Sequence, residues 1–297
     1  MSLITHRTDN YIVEEELAKV KVRILSEPES EKKLKVFNQL CEFEYGRWLL
    51  INRGLNAYWA SYLIYHDEIR KEKMIKEPLH SLEKTLLNSP GVLSSKDRAA
   101  RNAGILKKLV KDNMTIASIP CGLMNDFLRL NLDGMDNLKI VGIDLDPNAI
   151  TLAKENAKKF KKEKYCTFQV ADAFELNIEN EFDVLHSSGL NMYVQTEPEL
   201  LKLYSKFYKA VKPGGYFVIT SNIPPKDEAG NFCWSLGLIE MSQLPEQVLI
   251  FFDVIQIRQG IYCTKNQIIT QLKTVGFIDV QVDYDSRKMF LCFTAKK

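Results

Sequence analysis

The chain has 297 residues, a hydrophobic content of 45%, a charged content of 26% and a formal net charge of +2. These values suit one large globular domain, or a domain with a helical appendage, and they speak against a disordered chain. The near-neutral balance argues against a strong bias toward nucleic acid or a membrane surface. The six cysteines, Cys41, Cys121, Cys166, Cys233, Cys263 and Cys292, are scattered without CxxC spacing or a histidine cluster. Reduced thiols in a cytoplasmic protein, with no metal site, are the expectation. No apolar run is long enough to span a bilayer, and the N-terminus shows no apolar signal-peptide region.

Residues 11–110 carry apolar side chains at three- and four-residue spacing, which predicts helices almost throughout. Pro28 interrupts the pattern after residues 14–25, and it resumes over 33–50. Gly54-Leu55-Asn56 marks a junction. The stretch 57–65 is dense in aromatics, with Tyr58, Trp59, Tyr62 and Tyr65 at spacing that fits one helix face. A lysine- and glutamate-rich helix follows over 67–76. Ser89-Pro90-Gly91 reads as a loop. Ser94 or Ser95 can cap the next helix, which carries Asp97 near its start and Lys107, Lys108 and Lys111 near its end.

From Thr115 the rhythm changes to strand–helix alternation. A short apolar run over 116–119 stops at Pro120, and Pro120-Cys121-Gly122 forces a turn. Residues 124–132 have helical spacing, and 139–143 form a second β-rich run that ends on Asp144. Strand, helix and parallel strand make a βαβ unit, whose connection is right-handed and whose ligands bind where the strands end. A carboxylate at that tip can accept hydrogen bonds from two ribose hydroxyls, so Asp144 marks a nucleoside-cofactor site. Pro147 opens a helix over 147–164, and the lysines crowding its end read as a solvated face that complements the helix dipole. Short strands over 167–170 and 182–186 follow, then a helix over 197–211 that stops at Lys212-Pro213-Gly214-Gly215. Residues 216–220 are a fifth strand, and 222–263 are an insertion with an apolar helix over 245–257. Thr264-x-x-Gln267 is a capping box that opens a further helix, ended by Gly276. Residues 278–284 and 289–295 read as a final antiparallel hairpin.

In order and spacing, several of these segments resemble the motifs of the class I S-adenosylmethionine-dependent methyltransferases over residues 96–297. Ile116-Ala117-Ser118-Ile119-Pro120-Cys121-Gly122 stands at the glycine-rich first motif and Val141-Gly142-Ile143-Asp144-Leu145-Asp146 at the second. Val170-Ala171-Asp172-Ala173, Phe182-Asp183-Val184-Leu185-His186 and Val211-Lys212-Pro213-Gly214-Gly215 stand at the next three. The resemblance implies an α/β fold: a Rossmann-like methyltransferase sheet, mostly parallel with an antiparallel last strand, behind an N-terminal all-helical extension. The domains would be a helical cap over 1–93 and a cofactor domain over 94–297, with the insertion 222–263 near the substrate site. One departure concerns the first motif. Ser118 replaces its acid, Pro120 its first glycine and Met124 its last, which leaves Gly122 alone to bring the backbone close and to offer free amides.

The resemblance also implies the cofactor, S-adenosyl-L-methionine with S-adenosyl-L-homocysteine as product, and a role for each site residue. Asp144 would hold the ribose, Asp172 and the Ala173 amide the adenine, and Leu145 would pack on the adenosine. Pro120, Cys121 and Gly122 would line the methionine end. Arg98 or Arg101, on the helix before the first strand, could meet its carboxylate as a two-pronged pair. The tip of the fourth strand offers Ser188, Asn191 and Tyr193 to cofactor and substrate. His186 and Tyr193 are the candidate catalytic groups, although a histidine inside a strand also suits a purely structural role. Tyr58, Trp59 and Tyr62 either pack helices together or cap the substrate, with Trp234 as the opposite wall. A capped pocket favours a small-molecule acceptor on a monomer or homodimer, with neither nucleic acid nor membrane as partner. A catalytically inactive binding or scaffold protein on the same fold is the alternative. A nucleic-acid methyltransferase would want an Asn/Asp-Pro-Pro-aromatic or Pro-Cys signature after the fourth strand, and a nicotinamide dehydrogenase fits the closing hairpin and Asp172 less well.

Overall fold

The computed structural model describes residues 13–297, and they divide into two compact units. One comprises the described residues up to Leu93 together with Leu236–Arg258. The other comprises Ser94–Ser235 and Gln259–Lys297.

The first unit is helical: α1 (Val13–Leu25), α2 (Ser30–Cys41), α3 (Glu44–Asn52), α4 (Ala57–Glu72) and α5 (Ser81–Leu87). The pattern over 33–50 is two helices, not one. The chain is extended at Phe43, and Gly46 then approaches α2 so closely that a Cβ would lie 2.2 Å from the Leu40 carbonyl oxygen. Asn56 caps α4 by accepting the Trp59 N–H at 2.9 Å. The aromatic and charged stretches form one helix, kinked at Tyr65. The aromatic face is committed to the unit's own core. Trp59 and Tyr62 are buried and Tyr58 partly so, with ring centroids 4.9 Å (Tyr58–Trp59) and 5.2 Å (Trp59–Tyr62) apart. The Tyr62 hydroxyl donates to buried Glu83 at 2.8 Å. Large aromatic side chains at helical spacing bury the most area by packing together, and the helix-packing alternative describes what these three do within the unit.

Residues 236–258 join the same core. The expected apolar helix starts as Leu244–Gln247 and widens into a π-helical segment, Val248–Val254, where the Ile255 N–H reaches the Ile250 carbonyl at 2.9 Å. Leu249, Ile250, Val254 and Ile255 are buried there, and Arg53 Nε donates to the Gln256 carbonyl at 2.8 Å. The stretch 222–263 is therefore divided, its middle going with the helices and its ends with the sheet.

The second unit begins at Ser94, inside α6 (Pro90–Leu109), which leads to the sheet. The helix starts at Pro90, which suits a first helical turn, so Ser94 and Ser95 lie inside it and do not cap it. Seven strands follow: β1 (Thr115–Ser118), β2 (Lys139–Asp144), β3 (Cys166–Val170), β4 (Phe182–Ser188), β5 (Val211–Asn222), β6 (Ile278–Tyr284) and β7 (Phe290–Lys296). Their order is β3-β2-β1-β4-β5-β7-β6, with β7 antiparallel to both neighbours and the other pairs parallel. Ile116, Ala117, Ile140, Ile143, Val184 and Leu185 are fully buried, as strands covered on both faces require. The order reverses between β1 and β4, and ligands of such sheets bind beyond the carboxyl ends of the strands at that point. The helix after β1 is a single turn, α7 (Asn125–Leu128), shorter than its spacing predicts. After α8 (Pro147–Lys159), Lys162 folds back and its Nζ donates to the carbonyls of Leu128, at 2.6 Å, and Leu130. One lysine of the expected solvated run thus satisfies carbonyls that end the short helix. α9 (Glu197–Ala210) completes the labelled helices.

Candidate cofactor and active site

The turn after β1 and the tip of β2 are bonded to each other. Asp144 Oδ2 accepts the Gly122 N–H at 2.9 Å, and its Oδ1 accepts the Asp146 N–H at 3.0 Å. The Cys121 N–H donates to the Ile143 carbonyl at 2.9 Å. Pro120, behind a cis peptide bond, brings no donor. The amides expected to be free are therefore spent on the tip of β2. The turn still has a glycine-like backbone. Gly122 has φ of 49° and Met124, where the first motif has its last glycine, has φ of 55°. A side chain in that region costs roughly 1–2 kcal/mol. Met124 offsets it by burial over Gly142, where a Cβ would lie 2.5 Å from the methionine Cε.

Asp144 suits a ribose. An ionised carboxylate has about four acceptor positions. The Gly122 and Asp146 amides use two and the Leu145 amide also faces the carboxylate, which leaves acceptor capacity for a ribose hydroxyl. Burial pushes its carboxyl above the usual carboxylate range, against the pull of these amides. Incoming hydroxyl donors would offset that desolvation. Leu145 follows half-buried. At the end of β3, Asp172 Oδ1 accepts the Phe174 N–H at 2.9 Å and so orders the chain at Ala173, which is buried. The second oxygen of Asp172 is the one available to a base amine.

Ser188 ends β4, and Gly189, whose φ is 93°, opens the turn Leu190–Tyr193 that carries Asn191 and Tyr193. Ser188 and Thr220 share a hydroxyl contact of 3.2 Å, and Asn191 is buried. Tyr193 is half-buried, and burial raises its phenol pKa. The far end of the insertion supports this turn: the Gly260 N–H donates to the Met192 carbonyl at 2.7 Å, and a Cβ at Gly260 would lie 2.1 Å from the Val194 carbonyl oxygen. The sequence marks Gly260 only as an isolated glycine in a loop. Trp234 anchors the loop after β5 by donating its indole N–H to the Ile223 carbonyl at 3.1 Å.

The two arginines part ways. Arg101 is held by Asp97 at 3.2 Å and by Asp283 at 3.0 Å, so its guanidinium is already paired within the chain. Arg98 packs its guanidinium 5.1 Å from the Phe290 ring centroid, and its buried Nε has no hydrogen-bond partner among the described residues. His186 lies inside β4 with no exposed surface, paired with Ser118 and Val218, and burial lowers its pKa. A fully enclosed imidazole has no path to a substrate proton. Among the described residues no group of three or more His, Cys, Asp or Glu side chains is arranged to hold a metal ion, and no helix is long and apolar enough to cross a membrane.

Sheet order, switch point and Asp144 together define a Rossmann-like nucleoside-cofactor protein. The family model described as a methyltransferase domain matches residues 110–267, just over half of the chain. The chain belongs to the S-adenosylmethionine-dependent methyltransferase family, and S-adenosylmethionine is the cofactor of that family. Among curated relatives, phosphoethanolamine N-methyltransferase 3 of Arabidopsis thaliana is 33% identical over 116 residues, 37% of this chain and 21% of the relative. Sterol 24-C-methyltransferase of Debaryomyces hansenii is 27% identical over 112 residues, 37% of this chain and 28% of the relative. The matches thus span under a third of those longer proteins. Among solved structures, a protein of Bordetella parapertussis described as a possible exported protein superposes with a TM-score of 0.86 and 30% identity, over 96% of this chain and 95% of that one. The S-adenosylmethionine-dependent methyltransferase SibL, in its apo form, superposes with a TM-score of 0.51 and 15% identity over 80% of this chain and 69% of its own, a likeness of fold.

Proposed function

We propose that the chain transfers a methyl group from S-adenosylmethionine to a small-molecule acceptor. The observation that carries this reading is Asp144, a half-buried carboxylate at the switch-point crevice, each of whose oxygens is oriented by a backbone amide. When bound, the cofactor supplies a methyl group already activated by a sulfonium, so the chain's own residues need to align the acceptor and exclude water. Asp144 holds the ribose hydroxyls, and Asp172 with the Ala173 amide holds the adenine amine. Leu145 packs on the nucleoside. Pro120, Cys121 and Gly122 line the methionine end, and Arg98 pairs with its carboxylate. Ser188, Asn191 and Tyr193 orient the acceptor. Burial keeps the Tyr193 phenol protonated, which suits hydrogen-bond donation to the acceptor. A base is required only when the acceptor atom carries a proton at the working pH. We assign His186 a positioning role, because it is enclosed.

The acceptor is a small molecule in the curated relatives named above, phosphoethanolamine in one and a sterol in the other, which supports the same class here. We read the chain as a monomer or homodimer. Its six free thiols suit the cytoplasm, whereas the Bordetella relative's description points to export; cell fractionation decides between them. A binding protein without turnover is the second reading, favoured by Pro120 and by the commitment of the Cys121 and Gly122 amides to the tip of β2.

The test is thermal unfolding with S-adenosylmethionine, S-adenosylhomocysteine and, separately, NAD. A ligand at a hundred times its dissociation constant adds about 2.7 kcal/mol to the native state. A rise of several degrees with the two sulfur ligands alone is expected. No rise with either of them removes the cofactor reading, and a rise without turnover on any acceptor leaves the binding protein.

A further inference from the structure

One polar cluster in the sheet unit has a chemistry that the reading above does not use. Asn102, on α6, and His186, on β4, are 1% and 0% exposed, and Asn102 Nδ2 meets His186 Nε2 at 3.2 Å. Asp126, on the one-turn helix after the first turn, places its Oδ2 3.8 Å from His186 Nδ1, with a quarter of its side chain exposed. The Arg98 charge acts on both Asp126 and His186. Three buried atoms of this cluster, Arg98 Nε, Asn102 Oδ1 and His186 Nδ1, have no hydrogen-bond partner among the described residues. Asp285, which also faces Arg98, already accepts the amide hydrogens of Arg287 and Phe290 at 3.0 and 2.7 Å.

These contacts select the histidine's tautomer. Asn102 Nδ2 is only a donor, so Nε2 accepts and the ring proton lies on Nδ1, facing Asp126. The flipped amide would move that proton to Nε2 and set a lone pair against the carboxylate, which is repulsive. Burial lowers the His186 pKa, with the Arg98 charge adding to it and against the pull of Asp126, so the neutral ring is favoured and does not cancel the carboxylate. At 3.8 Å the Nδ1–H faces Asp126 without a hydrogen bond, so its attraction favours this placement of the carboxylate and uses none of its acceptor positions. The cluster therefore presents a partly exposed anion, oriented from behind, beside a half-buried cation with an open donor. Ser118, at the end of β1, has no charge to offer there.

We propose that Asp126 is the receptor for the ammonium group at the amino-acid end of the cofactor, positioned by His186 and Asn102, with Arg98 taking the carboxylate beside it. The proposal rests on the S-adenosylmethionine reading. An α-amino acid carries these two opposite charges on adjacent atoms, and a fixed anion beside a fixed cation matches them where a plain nucleoside would leave both unpaired.

The experiment compares two ligands by titration calorimetry. S-Adenosylhomocysteine has the amino-acid end; 5′-methylthioadenosine has the same nucleoside and sulfur without it. Asp126→Asn should weaken S-adenosylhomocysteine roughly 10- to 100-fold, the worth of one charged hydrogen bond, and leave methylthioadenosine unchanged. Asn102→Leu should weaken the same ligand by a smaller factor, since it frees the histidine to rotate. Equal losses for both ligands, or none for either, overturn the receptor while leaving the cofactor reading intact. If neither ligand binds the unsubstituted chain, the cofactor reading fails and the receptor with it. The analogue of S-adenosylhomocysteine lacking only the α-amine repeats the test on the unsubstituted chain, whatever the folding of the variants. It should bind at least tenfold more weakly, and equal binding overturns the proposal.

Discussion

The Gly122 N–H donates to Asp144 Oδ2 at 2.9 Å, so the turn after β1 and the tip of β2 are tied to each other. A change at either end is felt at the other. Asp144→Asn keeps one oxygen, loses the charge and turns an amide group toward the Gly122 or Asp146 N–H. The affinity for S-adenosylhomocysteine should fall roughly 10- to 100-fold, measured by titration calorimetry.

The same carboxylate makes a pH prediction. Its pKa in the folded chain is raised by burial, above the ordinary carboxylate value of the unfolded chain. Between the two values the native state binds more protons, so this group's contribution to stability falls as the pH rises through that window. Cofactor binding has the opposite sign, because hydroxyl donors favour the ionised form. Affinity should weaken as the pH falls through the raised value, by up to about tenfold per unit. Protons should be released on binding in that range, which calorimetry in buffers of different ionisation enthalpy detects.

Gly142 is the seat for Met124. A Cβ there would lie 2.5 Å from the Met124 Cε and 2.8 Å from Phe168 Cδ1. Gly142→Ala should cost about 1–3 kcal/mol by overpacking, read as a lower unfolding midpoint. Adding Met124→Ala to the same chain should cost less than the sum of the two single changes, because the clash and the seat are one interaction.

Arg101 and Arg98 should separate cleanly. Arg101 is half-exposed and paired with Asp97 and Asp283, so Arg101→Ala should cost at most about 1 kcal/mol of stability. Its cofactor affinity should stay within about twofold of the unsubstituted chain, the scatter expected for a residue away from the ligand. Arg98→Ala should weaken S-adenosylhomocysteine at least tenfold, as loss of a charged pair does.

Tyr62 tests what the aromatic face is for. Tyr62→Phe removes the donor to buried Glu83 and should destabilise the chain by about 1–3 kcal/mol, seen by denaturant unfolding. In a core role it leaves the KM for the acceptor unchanged. A rise in that KM without loss of stability would restore the substrate-cap reading.

Much of the fold could be read in one dimension. Parallel strands covered on both faces are short continuous apolar runs, and those over 116–119, 139–143 and 182–186 are β1, β2 and β4 to within two or three residues. The capping box at Thr264 and Gln267 forms as read, with both of its hydrogen bonds present. These features are local: burial period, turn residues and caps act on neighbours in the chain. Arg101 could not be read that way, because its partner Asp283 comes from β6, far along the chain. Nor could the backbone of Met124, whose left-handed conformation is stabilised by a space that Gly142 leaves on another strand.

By itself, then, the sequence determined the order of elements, the βαβ crevice and the place of Asp144 at its edge, since each follows from periodicity and from a carboxylate ending a strand. The tertiary structure decided which polar groups remain open to a ligand. It spent Arg101 on two carboxylates, enclosed His186 between Asn102 and Asp126, and turned Trp59 and Tyr62 into a core. Whether a side chain binds a ligand or its own protein depends on which partners reach it first in space, and spacing along the chain does not record that.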